Sequence, residues 1–264
     1  MTAVSGIAAL RSRQAAGEKI VCLTAYDAGF ARVVDAAGVD LILVGDSLGM
    51  VVQGADDTLD VTMEDMVYHT RLVRRGVQRA LLAADLPYHS YDDAAQALIN
   101  AGRLVEAGAE MVKLEGGGAV TDSIRELAAN GIAVCGHLGL QPQSITQYGG
   151  YKVQGRDSTA AERIYHDAQA VEAAGADLLV LECVPRALAR RITADLEIPV
   201  IGIGAGRDCD GQILVLHDIL GVSSYIPRMA NDFLQQGGSV RGAVAAYVDA
   251  VRNGTFPDAA HSFD

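Results

Sequence analysis

The chain has 264 residues, half of them hydrophobic, with 5% aromatics and no Trp. That length can bury a large core without disulfide or metal staples and suits one α/β barrel. The formal net charge of -12 and the absence of any basic run argue against nucleic-acid binding, because such a chain repels phosphate backbones.

The first 19 residues, MTAVSGIAALRSRQAAGEK, carry no continuous apolar segment of the kind a secretory signal needs. No apolar run approaches bilayer-spanning length, so no membrane association and a cytoplasmic location are expected. Residues 1–18 read as a helical lead-in. From Lys19 onward, short apolar runs rich in β-branched residues alternate with longer amphipathic stretches. Strands are expected at 19–26, 40–46, 79–86, 110–116, 133–139, 177–183 and 199–205, with an eighth at 213–221; continuous apolar runs of this length mark strands buried on both faces.

Helices are expected between the strands. Over 92–107 the apolar positions Ala95, Leu98, Ile99, Gly102 and Val105 fall on one face, the expected buried face. Thr159 and Glu162 have capping-box spacing ahead of a helix running to about Ala174. The long connections 49–60, 141–157 and 207–212 are expected at strand C-termini, where barrel enzymes carry functional loops. Beyond residue 228 the tail reads as helices near 228–236 and 239–251, then an extended end. Strands alternating with helices predict a parallel sheet with right-handed crossovers, and eight units close as a single-domain (β/α)8 TIM barrel.

An internal echo supports the barrel. Ala37-Gly38-Val39-Asp40, Ala107-Gly108-Ala109-Glu110 and Ala174-Gly175-Ala176-Asp177 each join a helix end to a strand start. Glycine there suits the left-handed residue that closes a helix. Each copy leads into a strand ending in an acid: Asp46, Glu115 and Glu182. Cys22, Cys135, Cys183 and Cys209 form no C-x-x-C pair and read as buried free thiols.

The strand ends carry the chemistry. Asp46 and Ser47 end the second strand, Asp85 the third, Lys113 and Glu115 the fourth, His137 the fifth and Glu182 the sixth. Lys113 and Glu115, two apart, face the same way. Any one acid alone reads equally well as an N-cap of the next helix; acids delivered to one barrel end by successive strands do not. Four carboxylates around one Lys leave excess negative charge, which a divalent cation compensates, and an all-carboxylate set suits a hard ion such as Mg²⁺. The glycine-rich runs 116–118 and 202–206 read as tight turns, Asp208-Cys209-Asp210-Gly211 as a turn, and His69 and His89 as solvated or core residues. No G-x-S-x-G elbow is present.

At these residues the chain resembles the ketopantoate hydroxymethyltransferase family. The matching stretches are KIVCLTAYD (19–27), AGVDLILVGDSLGMVVQG (37–54), VTMEDMVYHTRLVRRG (61–76), ADLPYHSY (84–91), KLEGG (113–117), GHLGLQPQSITQYGGYKVQGR (136–156), LVLECVP (179–185) and IGIGAGRDCDGQILVLHDILG (201–221). His89 departs from the usual pattern, and the tail after Pro227 matches loosely.

The resemblance implies transfer of a hydroxymethyl group from 5,10-methylenetetrahydrofolate to 3-methyl-2-oxobutanoate, giving 2-dehydropantoate in pantothenate biosynthesis. It implies Asp46, Asp85 and Glu115 as metal-site carboxylates for Mg²⁺, Asp46, Ser47, Asp85 and Lys113 as oxo-acid contacts, and Glu182 as the base. It also implies a homo-oligomer, a decamer. His137 is a further candidate for a hydrogen bond to substrate. The folate is expected over loops 49–60 and 141–157, with Tyr148 or Tyr151 as stacking surfaces. The rival reading is another Mg²⁺-dependent enolate enzyme of the phosphoenolpyruvate mutase and isocitrate lyase type; the reactive-Cys loop usual in those enzymes is not evident in this sequence.

Overall fold

The computed structural model describes residues 3–223 and 225–264. Eight parallel strands close into a barrel in sequence order, β1 (Ile20–Thr24), β2 (Leu41–Val44), β3 (Leu81–Asp85), β4 (Met111–Glu115), β5 (Ala133–Gly139), β6 (Leu178–Glu182), β7 (Val200–Ile203) and β8 (Gly211–Leu214), with β8 pairing back onto β1. The longer helices are α1 (Ala3–Ala15), α2 (Ala28–Ala36), α3 (Met63–Arg74), α4 (Ala94–Ala107), α5 (Thr121–Ala129), α7 (Ser158–Ala173), α8 (Arg186–Asp195) and α11 (Val240–Arg252). One-turn helices α6 (Ile145–Tyr148), α9 (Leu216–Ile219) and α10 (Leu234–Gly237) complete the set. Among the described residues, no helix is long and apolar enough to cross a membrane.

Two apolar layers divide the strands by parity. Ile20, Cys22, Leu41, Leu43, Leu81, Ala83, Met111, Cys135, Leu178, Val180 and Ile213 point inward and fill the barrel. The alternate residues, such as Val21, Leu23, Ile42, Leu82, Val112, Val134 and Leu179, point outward beneath the helices. Successive strand side chains face opposite ways, so both layers follow from uninterrupted apolar strands. All four cysteines are free and buried.

The three Ala-Gly-x-acid echoes acquire a structural meaning. Gly38, Gly108 and Gly175 take φ of 91°, 111° and 106°, the left-handed region that a Cβ disfavours. The acid that follows receives a backbone N–H at the head of the preceding strand. Val21 N donates to Asp40 Oδ2 at 2.8 Å, Leu82 N to Glu110 Oε2 at 3.3 Å and Val134 N to Asp177 Oδ2 at 3.3 Å. A fourth acid, Asp210, takes the Val200 N–H at 2.8 Å. At the N-terminal end of the barrel these acids satisfy strand N–H groups and hold arginines. Asp40 pairs with Arg13 and Arg252, Glu110 with Arg74, and Asp177 with Arg11. Arg11 and Arg13 belong to α1, whose Leu10 joins the inner core, so α1 plugs that mouth.

Several local expectations are corrected. The eighth strand is Gly211–Leu214, not 213–221; residues 216–219 turn into α9. The connection 207–212 does not sit at the strand C-termini. It belongs to a strap, 204–210, that returns directly from β7 to β8 without a helix and delivers Asp210 to the opposite end, where its Oδ2 accepts from both Gln14 Nε2 and Val200 N. Strands of four residues span only about 13 Å at ~3.3 Å per residue, so seven residues of bends and turns can return where a helix is usual.

In α4 the buried face is Ala97, Ala101, Leu104 and Ala107; Ile99 and Val105 are 68% and 42% exposed. Leu98 packs partly buried against the core as expected, whereas Ile99 and Val105 face away, against the expectation from periodicity. The N-cap of α7 is Asp157, whose side chain accepts from Ala160 N, and Glu162 pairs with Arg191 instead of completing a box with Thr159. A capping box does occur at Thr62 and Asp65 of α3. In the tail, α11 forms where a helix was expected at 239–251, whereas in place of 228–236 only the one-turn α10 forms.

Candidate active site

The inward parity of β3 to β6 brings the polar strand ends together. Asp85 follows Leu81 and Ala83 on the inner face, Lys113 and Glu115 follow Met111, His137 follows Cys135, and Glu182 follows Val180. The register sets Asp85 beside Lys113 and Glu115 beside His137. All are buried: Asp85 is 2% exposed, Lys113 and Glu115 5%, His137 3% and Glu182 8%. Asp46 arrives differently, two residues past the end of β2. Its own N–H donates to Asp85 Oδ2 at 3.0 Å, which fixes it against β3. A Cβ at Gly45 would lie 2.8 Å from Ser47 Oγ, so the glycine leaves room for that hydroxyl in its present rotamer. Ser47, part-buried, shares a 2.9 Å hydrogen bond with the Tyr26 hydroxyl.

Each acid has a distinct environment. Lys113 Nζ lies 2.6 Å from Asp85 Oδ1. Burial opposes the Lys113 charge, but Asp85, Glu115 and Asp46 outweigh it and push the ammonium pKa up, so it stays charged. Burial, with Asp85 and Glu115 close by, pushes the Asp46 carboxyl well above the usual range. Glu115 goes the other way: burial opposes its charge, but the His137 ring, Lys113 and the Gln143 N–H together hold it below the ordinary value.

His137 stands between two carboxylates. Nδ1 is 3.1 Å from Glu115 Oε1, and Nε2 is 3.2 Å from Glu182 Oε2, although the second contact is off the hydrogen-bond line. Burial works against the ring's charge, yet these carboxylates raise its pKa to about 9. Both ring nitrogens face protein acids, and Nε2 makes no hydrogen bond among the described residues.

The structure thus gathers Asp46, Asp85, Lys113, Glu115, His137 and Glu182, with Ser47 at the edge. Two participants were not singled out from the sequence. Gln143, 4% exposed, donates from Nε2 to Asp46 Oδ2 at 2.8 Å and to Leu86 O at 3.0 Å, while its backbone N–H reaches Glu115 Oε2 at 3.0 Å. Tyr91 hydrogen-bonds Gln143 Oε1 at 2.5 Å. The available signal was that both lie in loops following barrel strands, inside the stretches that match the family.

Tyr151 reaches across the mouth. Its hydroxyl contacts Met50 Sδ at 3.5 Å, joining the 141–157 connection to the 49–60 connection, and its ring is 55% exposed. The side chain of Tyr148 lies outside the described residues. A cleft of about 690 Å³ opens instead on the flank, between the start of α8, the strap and the C-terminal tail. It contains none of these acids, so the site is marked by its chemistry and not by volume.

Among the described residues, no three His, Cys, Asp or Glu side chains form a ready-made metal shell. The donor set nevertheless fits a hard dication that keeps waters and substrate oxygens. Four buried carboxyl groups face only Lys113 and His137, so once all four are ionised, negative charge outnumbers positive. Among the described residues no hydrogen bond occupies Asp46 Oδ1, whereas both Glu115 oxygens are engaged, by His137 and by Gln143.

A closed (β/α)8 barrel with buried acids and one lysine at its C-terminal mouth defines an enzyme of the barrel class that works on small polar substrates. The fold is shared with phosphonopyruvate hydrolase solved with oxalate and Mg²⁺, at TM-score 0.65 and 16% identity, covering 99% of this chain and 93% of that one. The family model for ketopantoate hydroxymethyltransferase matches residues 5–259, and the chain belongs to that family. The chain is 59% identical to the 3-methyl-2-oxobutanoate hydroxymethyltransferase of Shewanella loihica over 94% of both proteins. It is 56% identical to the Shewanella oneidensis protein of the same name over 100% of both.

Proposed function

We infer that this chain transfers a hydroxymethyl group from 5,10-methylenetetrahydrofolate to 3-methyl-2-oxobutanoate, with Glu182 as the base and Asp46 and Asp85 as the holders of one Mg²⁺. Full-length identity to proteins of that activity supports the reaction. The observation that carries the site assignment is the convergence of Asp46, Asp85, Lys113, Glu115, His137 and Glu182 on one buried mouth. Bound Mg²⁺ would supply Lewis acidity to the 2-oxo group and offset the excess negative charge.

The protein groups divide the remaining work. Lys113, charged and buried, attracts the substrate carboxylate or the oxygen that gains charge when C3 is deprotonated, and so overrules the net charge of -12. Glu182 takes the C3 proton. His137, held by Glu115 on one side, orients Glu182 from the other. Ser47 and Asp85 line the oxo-acid subsite. Glu115, hydrogen-bonded to His137 and to the Gln143 N–H, is the third metal-site carboxylate, acting directly or through a water. Tyr151, exposed above the acids, offers a stacking face for the folate, which is the one-carbon donor.

The described residues support a single barrel domain over the chain, with α1 and the α10–α11 tail as appendages. The outward Ile99 and Val105 of α4 favour self-association, in line with a homo-oligomer, a decamer by resemblance to the family.

The test is exchange of the C3 proton of 3-methyl-2-oxobutanoate into D₂O, followed by NMR without folate. Exchange should require Mg²⁺ and disappear in Glu182→Gln. Exchange at the wild-type rate in that variant would refute the base assignment.

A further inference from the structure

We propose that Gln143 is a positioning residue that clamps Asp46 and Glu115 in their working arrangement, and that Tyr91 fixes the direction of its amide. The proposal rests on the site reading above and deepens it.

Gln143 follows β5, whereas Asp46 follows β2 and Glu115 ends β4. One residue from a third strand thus touches two carboxylates, through its backbone N–H to Glu115 Oε2 and through Nε2 to Asp46 Oδ2. The amide orientation is determined by its partners. Leu86 O can only accept, so the nitrogen must face it at 3.0 Å, and the second N–H then meets Asp46 Oδ2. The remaining acceptor, Oε1, meets the Tyr91 hydroxyl. That hydroxyl also lies 3.3 Å from Glu115 N, which can only donate, and 3.3 Å from Glu115 O; the much shorter contact with Gln143 Oε1 takes the phenolic proton.

Both N–H bonds and the carbonyl of a buried side chain are therefore committed. Such an arrangement constrains rotation, because any turn of the amide strands buried polar groups. The consequence is asymmetric. Glu115 has both oxygens engaged, while Asp46 keeps Oδ1 free of hydrogen bonds among the described residues. The clamp therefore holds Asp46 by Oδ2 and leaves Oδ1 to be offered to a cation.

Partners that orient a ligand carboxylate are worth about 10–100-fold in metal affinity or activity. Gln143→Leu should lower Mg²⁺ affinity of the folded, metal-free chain, read by titration calorimetry, by about that factor and lower kcat for hydroxymethyl transfer comparably. Tyr91→Phe removes a single oxygen atom, serves as the variant that folds, and should cause a smaller loss in both quantities. In the Gln143→Leu background, Tyr91→Phe should cause no further loss in kcat, because its effect passes through the amide.

Wild-type Mg²⁺ affinity and kcat in folded Gln143→Leu would overturn the clamp. A Tyr91→Phe loss that persists in full alongside Gln143→Leu would overturn the role given to Tyr91. If the wild-type chain binds no Mg²⁺, the metal assignment fails separately, and the double-mutant cycle in kcat still decides the positioning role.

Discussion

Lys113 and Asp85 form an ion pair on neighbouring strands, with Nζ 2.6 Å from Oδ1 and side chains only 6% and 3% exposed. Desolvating two charges costs several kcal/mol per ion, and only mutual attraction and further contacts offset it. The pair therefore makes each partner hostage to the other. Lys113→Met should destabilise the fold by about 3–5 kcal/mol, the usual cost of stranding one buried charge, as read by urea unfolding without metal. A loss below about 1 kcal/mol would contradict a buried pair in which each charge depends on the other.

The raised pKa of Asp46 predicts linkage between cation and proton. In the metal-free protein, burial and the nearby Asp85 and Glu115 let Asp46 keep its proton to a higher pH than an ordinary aspartate. A cation must displace that proton, so Mg²⁺ affinity should weaken as pH falls, with proton release on binding. Calorimetry in buffers of different ionisation enthalpy reads the release. Asp46→Asn should abolish it, and binding heats that ignore the buffer would contradict the assignment.

His137 makes stability pH-dependent in the opposite sense. Its folded pKa, about 9, lies above the ordinary 6.5, so the folded state holds the proton more tightly. The stabilisation is fully present below pH 6.5 and is lost as pH rises towards and through 9. The span corresponds to about 3 kcal/mol as an upper measure. Denaturant midpoints of the protein in EDTA should fall across this window, and the fall should flatten in His137→Asn. An identical slope in the variant would assign the effect to another group.

Acids at the two barrel ends should separate in their effects. Asp40 accepts from Val21 N and pairs with Arg13 and Arg252, far from the mouth that holds the site. Asp40→Ala should cost about 1.5–3 kcal/mol of stability, the range for hydrogen bonds to charged groups, while kcat at 25 °C stays unchanged. A large fall in kcat with intact stability would show that the N-terminal end takes part in catalysis.

Much of the architecture follows from local chemistry. Uninterrupted apolar runs make strands buried on both faces, and the two-residue period then carries Asp85, Lys113, Glu115, His137 and Glu182 onto the inner face together with Met111, Cys135 and Val180. The Ala-Gly-x-acid echoes mark left-handed turns because only glycine enters them freely. Periodicity failed where neighbours decide burial. Ile99 and Val105 fit a helix stripe but point outward, because the face α4 turns to the barrel is the one that carries Ala97, Ala101, Leu104 and Ala107. Spacing also misplaced the 207–212 connection, since the length of a return path depends on how short its strands are.

What the chain determined by itself is which side chains reach the mouth of the barrel, because parity along each strand is a local property. What only the tertiary structure decided is how those groups are shared. That Gln143 holds Asp46 and Glu115 at once, that Tyr91 turns its amide, and that His137 faces two carboxylates instead of open space all depend on closure of the barrel. Hydrogen bonds between residues as far apart as 46 and 143 leave no trace in the period or composition of either segment.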